Sequence, residues 1–355
     1  MQYDIDSNQK VLVTGATGYV AGWIVKQLVE TGVCVHAAVR DPDNELKVAR
    51  LKALSEKGPG KVVLFKSDLL ESGSYGQAMQ GCATVFHTAS PFVGRFNDAQ
   101  QDLINPALLG TENVLLTANS TASVKRVVLT SSLVAIYGDA QDCAAAPNGT
   151  LTEEIWNTTS SVTHQPYAYS KTLAERAAWD IAEAQDQWSL VVINPGLVIG
   201  PTVSEQPTSL SHDICKSFGD GRMKAGTLPL ELGMVDVRDV ADAHLRAAYI
   251  KAASGRHIIV SEAKSFLGLA RLLSEKYGAD YPLPRKELPK LLIWLIGPIM
   301  DSTITRKFVS RNVGCQWRAS NSKSKEQLGM RYRSLKGSIE EMFQQMIDQD
   351  IFSKK

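Results

Sequence analysis

Tyr167 and Lys171 stand four residues apart in PYAYSKTLAE, a spacing that sets a phenol and an ammonium on one face of a helix. A tyrosine ordinarily titrates near about 10, and a close cation stabilises the phenolate, bringing it toward the operating range of a proton-transfer catalyst. Tyr169 lies on another side of that helix and reads as packing. Ser131 and Ser132 close the apolar run RVVLTSS. A hydroxyl at the C-terminal edge of a buried strand could hold a carbonyl oxygen and stabilise charge developing there, or it could only cap a turn. Near the start, VLVTGATGYVAG carries Gly15, Thr17, Gly18, Tyr19, Val20 and Ala21 as GxxGxxA between a strand and a helix. Glycines at such a turn let backbone approach a pyrophosphate, and the helix N-terminus offers unpaired N–H groups. The spacing is one residue longer than the more familiar GxGxxG.

These groups need a scaffold that brings strand ends together, and the chain has its pattern. Short β-branched runs (Lys10 to Thr14, Cys34 to Arg40, Val62 to Lys66, Thr84 to Thr88, Arg126 to Ser131, Leu190 to Asn194) alternate with helix-length segments. Runs such as VVLF are apolar throughout, which suits strands covered on both faces and predicts a doubly wound parallel α/β sheet. The helices are expected at Val20 to Glu30, Asn44 to Leu54, Tyr75 to Met79, Asp98 to Ala118 and Tyr167 to Ala184. After Pro201 the rhythm breaks, then returns with a helix over Val237 to Ala253 and the strand RHIIV. The expected division is a dinucleotide-binding domain over 1–200, rejoined by 235–262, and a smaller C-terminal substrate lobe from 201–234 and 263–355.

The second strand ends at Arg40, where an acid would grip the free ribose hydroxyl of NAD; a guanidinium suits the 2'-phosphate of NADP. Lys47 could add a second cation, and Asp41 keeps some tolerance of NAD possible. A solvated arginine at a strand end is the plain alternative. Asp68, after the third strand, could accept from the adenine amino group or cap the next helix.

The chain has 355 residues, with 38 Lys plus Arg against 37 Asp plus Glu, so no global field draws nucleic acid or anionic membrane. The longest apolar stretch, Leu291 to Met300, is too short to span a bilayer. The first ten residues lack the apolar run of a signal peptide, and five scattered cysteines suit a reducing cytoplasmic setting. Six dispersed histidines form no metal-ligand pattern. Phe92, Tyr137, Met223 and Trp294 are candidate apolar walls of a pocket, or simply core.

TGATGYVAG, VRDP, HTASP, RVVLTSS, YAYSKTLAE, NPGLVIGP and VDVRDVADAH together resemble the extended short-chain dehydrogenases/reductases, along almost the whole chain. The likeness is to the branch of dihydroflavonol reductases and microbial NADPH-dependent aldehyde and ketone reductases, and it implies a Rossmann-type fold. By this resemblance Ser132, the second of the TSS pair, joins Tyr167 and Lys171 as the catalytic set. Tyr167 would donate the proton, and Lys171 would lower its pKa while holding the nicotinamide ribose. Cofactor contacts would come from Gly15, Thr17, Gly18, Tyr19, Val20, Arg40, Lys47, Asp68, Leu69, Thr88, Ala89 and Ser90, and from Pro195, Gly196, Leu197 and Val198 beside the nicotinamide.

The implied reaction is NADP(H)-dependent reduction of an aldehyde or ketone to an alcohol, by a monomer or homodimer. Tyr137 stands where plant flavonoid reductases have an asparagine, and HQPYAYSK replaces the NWYCY of cinnamoyl-CoA reductases, which argues against flavonoid and thioester substrates. An NAD-dependent sugar-nucleotide epimerase or dehydratase is disfavoured by the lack of an acidic pair beside Ser131 and Ser132. A non-catalytic NADP sensor is disfavoured by the intact Tyr/Lys pair.

Overall fold

The computed structural model describes residues 5–91, 96–203, 209–301 and 303–352. Seven parallel strands form the main sheet: β1 (Lys10–Thr14), β2 (Cys34–Val39), β3 (Lys61–Lys66), β4 (Cys82–His87), β5 (Arg126–Thr130), β6 (Ser189–Pro195) and β9 (Gly255–Ile259). Their order is β3-β2-β1-β4-β5-β6-β9, reversing direction between β1 and β4. Ligands of such sheets bind outside the carboxyl ends of the strands at that reversal.

Both faces are covered, as the uninterrupted apolar strands require. Helices Tyr19–Glu30, Glu45–Lys57 and Val237–Tyr249 share one core with Val11, Val13, Val35 and Ile193. Asn105–Asn119 and Pro166–Glu183 share the opposite one with Leu12, Val127 and Val192. The helix expected from Asp98 opens instead as a π-helical turn, Gln100–Ile104. Pro106 has no N–H for the next turn, so the regular i to i−4 ladder cannot begin there.

The predicted strand over RHIIV is present as β9 beside β6. A second, three-stranded sheet was not foreseen: β7 (Leu197–Ile199), β8 (Glu231–Asp236) and β10 (Glu262–Ser265), in the order β10-β8-β7. Gly196 breaks the run LVVINPGLVI in two, and a Cβ there would lie 2.3 Å from the Gly233 carbonyl oxygen. That crowding lets β7 leave the main sheet and pair with β8.

The small sheet meets a separate core built from Phe218, Leu269, Leu273, Met342 and Phe343, contributed by the helices around 210–219, 266–277 and 335–348. Among the described residues no helix is long and apolar enough to cross a membrane, and all five cysteines are free thiols.

Candidate active site

The reversal between β1 and β4 is stitched by one hydroxyl. Thr14 Oγ1, at the end of β1, accepts the N–H groups of Thr88 and Ala89, each at 3.1 Å, and lies 2.9 Å from His87 Nδ1. With two donors already on that oxygen, its own proton goes to Nδ1, which fixes the His87 tautomer with hydrogen on Nε2. Thr88 Oγ1 returns a bond to the Thr14 carbonyl at 2.6 Å, so this side chain secures the strand ends.

Gly15 follows in a left-handed conformation, φ +62°, and a Cβ on it would be 3.0 Å from Ala89 Cα. Gly18 caps the Tyr19–Glu30 helix without a side-chain cap or an acid in the first turn. The first-turn N–H groups are therefore left for a ligand anion, as a dinucleotide pyrophosphate requires. Thr17 and Val20 are half-buried along this turn. The Tyr19 side chain is engaged elsewhere, its hydroxyl donating to the Gly200 carbonyl at 2.5 Å and its ring packing edge-on to His212. Tyr19 thus offers this turn its backbone.

Arg40 is exposed just past β2, and Lys47 is exposed on the following helix. Asp68 Oδ1 accepts from Leu70 N at 2.9 Å, closing an Asx turn. It is not the cap of the next helix, which begins only at Gly76 behind Tyr75. Burial raises the pKa of Tyr75; Asp68 adds to the rise and Arg40 opposes it. Both charges thus act on the Tyr75 phenol. Leu69 packs against Gly110 of the Asn105–Asn119 helix.

The two serines have separate duties. Ser131 is buried and donates its hydroxyl to Glu175, which is fully buried and also takes Asn194 Nδ2 at 2.7 Å and Arg256 Nε at 2.5 Å. Ser132 is only half-buried, accepts weakly from Val134 N at 3.3 Å, and is near enough to the Tyr167 phenol to lower its pKa. Pro166 at the first position starts the Pro166–Glu183 helix, and Tyr167, Lys171 and Glu175 share a face of it at four-residue spacing. The Tyr167 ring is 40% exposed, and Lys171 Nζ is 5.9 Å from its centroid. Lys171 is buried and donates to Ser90 Oγ at 2.9 Å. Ser90, Thr130, Ser131, Lys171, Glu175 and His87 line a small cavity at these strand ends.

Burial pushes the Tyr167 phenol up to about 12, and Ser132 pulls it down. Burial pushes the Lys171 ammonium down to about 8, with Glu175 opposing that shift. Pro195 is buried at the end of β6, and Gly196, Leu197 and Val198 are half-buried beyond it. Asn194 Nδ2 also reaches the Ser132 carbonyl at 3.1 Å, tying this turn to the end of β5.

The proposed apolar walls fare differently. Tyr137 is buried against Trp317 in a core cluster. Met223 and Trp294 pack against the second core, with Arg306 over the Trp294 ring. Phe92 lies outside the described residues. Sequence reasoning passed over Glu175, Asn194, Arg256, Thr14 and His87. Only Glu175 carried a signal, since it continues the four-residue row of Tyr167 and Lys171.

A doubly wound sheet with a glycine turn at its reversal and a Ser/Tyr/Lys group at its carboxyl edge defines a nicotinamide-dinucleotide enzyme of the short-chain type. Residues 11–260 match the NAD dependent epimerase/dehydratase family, and the chain belongs to it, within the extended short-chain dehydrogenases/reductases. A cinnamoyl-CoA reductase of Medicago truncatula is 39% identical over 280 residues, covering 78% of this chain and 83% of its own. Tetraketide alpha-pyrone reductase 1 of Arabidopsis thaliana is 38% identical over 287 residues, covering 78% and 83%. Among solved structures, Gre2 of Candida albicans in complex with NADPH superposes with a TM-score of 0.76 at 27% identity, over 96% of this chain and 99% of its own.

Proposed function

We propose that this chain, an NAD(P)-dependent reductase by family, is an NADPH-dependent carbonyl reductase that converts an aldehyde or ketone to an alcohol. The observation that supports this reading is the placement of Tyr167: it shares a helix face with Lys171, and as a residue it is 40% exposed, so its phenol, protonated at neutral pH, is within reach of a ligand. When bound, NADPH would supply the hydride that reaches the carbonyl carbon. Ser132 would hold the carbonyl oxygen by its hydroxyl while Tyr167 transfers its proton to that same oxygen, so a C–H and an O–H bond form as the C=O π bond is lost. Lys171, anchored by Ser90, would bind the nicotinamide ribose and restore the phenol's partner charge. The uncapped helix start and Gly15 would take the pyrophosphate, and Arg40 with Lys47 the 2'-phosphate. Residues 201–234 and 263–355 would form the substrate lobe, in a cytoplasmic enzyme.

The test is NADPH oxidation with aldehydes, ketones and 2-oxo aldehydes, alongside a cinnamoyl thioester because of the relatives. Tyr167→Phe is expected to cut turnover by about 10²- to 10⁴-fold; unchanged turnover would remove the proposed acid. Copurified NAD with turnover of a nucleotide sugar would replace the reading with an epimerase or dehydratase.

A further inference from the structure

Thirteen large apolar side chains are exposed among the described residues, and six of them sit on one eleven-residue helix, Lys290–Met300. They are Leu291, Leu292, Leu295, Ile296, Ile299 and Met300. Their positions, i, i+1, i+4, i+5, i+8 and i+9, form two adjacent rows on a single face. Ile299 is 85% exposed and Met300 77%. The opposite face, Ile293 and Gly297, is buried, and a Cβ on Gly297 would be 2.7 Å from Ile304 Cγ2, so the helix is pinned by its inner side. The stripe is therefore presented outward by a helix that cannot roll to hide it. Contiguous apolar surface of this kind marks an interaction site, whereas scattered apolar residues do not.

The charges around it choose the occupant. Arg285, Lys286 and Lys290 precede the stripe and Arg306 and Lys307 follow it, against the two acids Glu287 and Asp301. The near-neutral total of the chain hides this local excess. Lys290 is turned inward to the carbonyls of Ser310 and Val313, and Arg306 lies over Trp294, while Arg285, Lys286 and Lys307 are exposed. Because bases stand at both ends, pairing this helix with that of a second copy sets like charges together in either orientation. A flat anionic surface can meet the exposed Arg285, Lys286 and Lys307 without setting like charges together. At about 1.5 Å per residue the helix is far too short to span a bilayer and would lie in its plane.

We propose that the Lys290–Met300 helix docks the protein on an anionic lipid surface, its apolar stripe entering the headgroup region and the flanking bases meeting lipid phosphates and carboxylates. The test is sedimentation of the full chain with vesicles of phosphatidylcholine alone and of phosphatidylcholine with phosphatidylserine. Binding is expected to rise about tenfold or more with phosphatidylserine and to fall with added salt. The variant Leu295→Asp/Ile299→Asp should lose binding while its unchanged far-UV circular dichroism shows that it still folds. A second variant, Lys286→Glu/Lys307→Glu, should lose only the phosphatidylserine-dependent part. No binding to anionic vesicles, or binding that survives both variants, overturns the proposal. So does a dimer in sedimentation analysis that Leu295→Asp/Ile299→Asp dissociates, which assigns the stripe to a second copy.

Discussion

Arg256 of β9 reaches Glu175 of the Pro166–Glu183 helix, Nε to Oε1 at 2.5 Å, and both side chains are almost sealed from water. The same guanidinium donates to the carbonyls of Glu153 and Ile155 and lies 3.9 Å from the Trp156 ring centroid. Glu175 therefore joins Ser131, Asn194 and Arg256 one turn beyond Lys171, locking the face that carries the phenol and the ammonium. Removing one partner of a buried pair leaves the other charge uncompensated. Glu175→Gln is expected to lower stability by about 3 kcal/mol, read from urea unfolding. A midpoint equal to that of the parent protein would mean that the pair is dispensable.

Ser131→Ala and Ser132→Ala should separate structure from chemistry. Ser131 serves Glu175, so its loss is expected to lower stability by about 1 to 3 kcal/mol with little change in turnover of the folded enzyme. Ser132→Ala should leave stability nearly intact and cut kcat by about 10²- to 10³-fold. The reverse pattern in steady-state kinetics would assign the catalytic role to Ser131.

Arg40→Ser tests the choice of nucleotide. A lost charge-assisted contact to the 2'-phosphate should raise the KM for NADPH about 10- to 100-fold and leave that for NADH unchanged. An equal rise for both would place Arg40 away from that phosphate.

Burial pushes His87 down to about 3 and His212, His244 and His257 to about 4. Each stays neutral in the folded protein and takes a proton near about 6.5 once unfolded, so below that pH the unfolded state binds more protons. Their contribution is complete above about 6.5 and is lost as pH falls toward about 4, by up to about 1.4 kcal/mol per histidine per pH unit. His36, also lowered by burial, and Asp139 and Asp236, lowered by their hydrogen-bond partners, act in the same direction, whereas Glu153 and Asp239, raised by burial, work the other way. Urea midpoints compared at about pH 7 and about pH 5 should therefore fall. Equal midpoints would show that these rings are protonated in the folded state.

The sheet was legible because buried parallel strands must be apolar throughout. RVVLTS and VVLF carried that signal, and each strand lies within two residues of its expected bounds. The glycine turn and the row from Tyr167 to Lys171 were legible because local backbone geometry alone sets them. What stayed hidden depends on distant partners. Nothing in TSS says that Ser131 meets a glutamate forty-four residues on, and Gly196 gave no sign that a second sheet would press on it. The raised phenol was unforeseen for a similar reason, since spacing sets neighbours but burial depends on the whole fold.

Arg256 lies 81 residues past Glu175, and Arg311, which meets Asp139 ahead of the Pro166–Glu183 helix, lies 172 past its partner. While a ribosome is still extending the chain, the strand-end turn that Thr14, Gly15 and Ala89 close is available long before Arg256 and Arg311 emerge. A nascent polypeptide stalled between Glu175 and Arg256 would thus carry a buried carboxylate with no guanidinium to meet it.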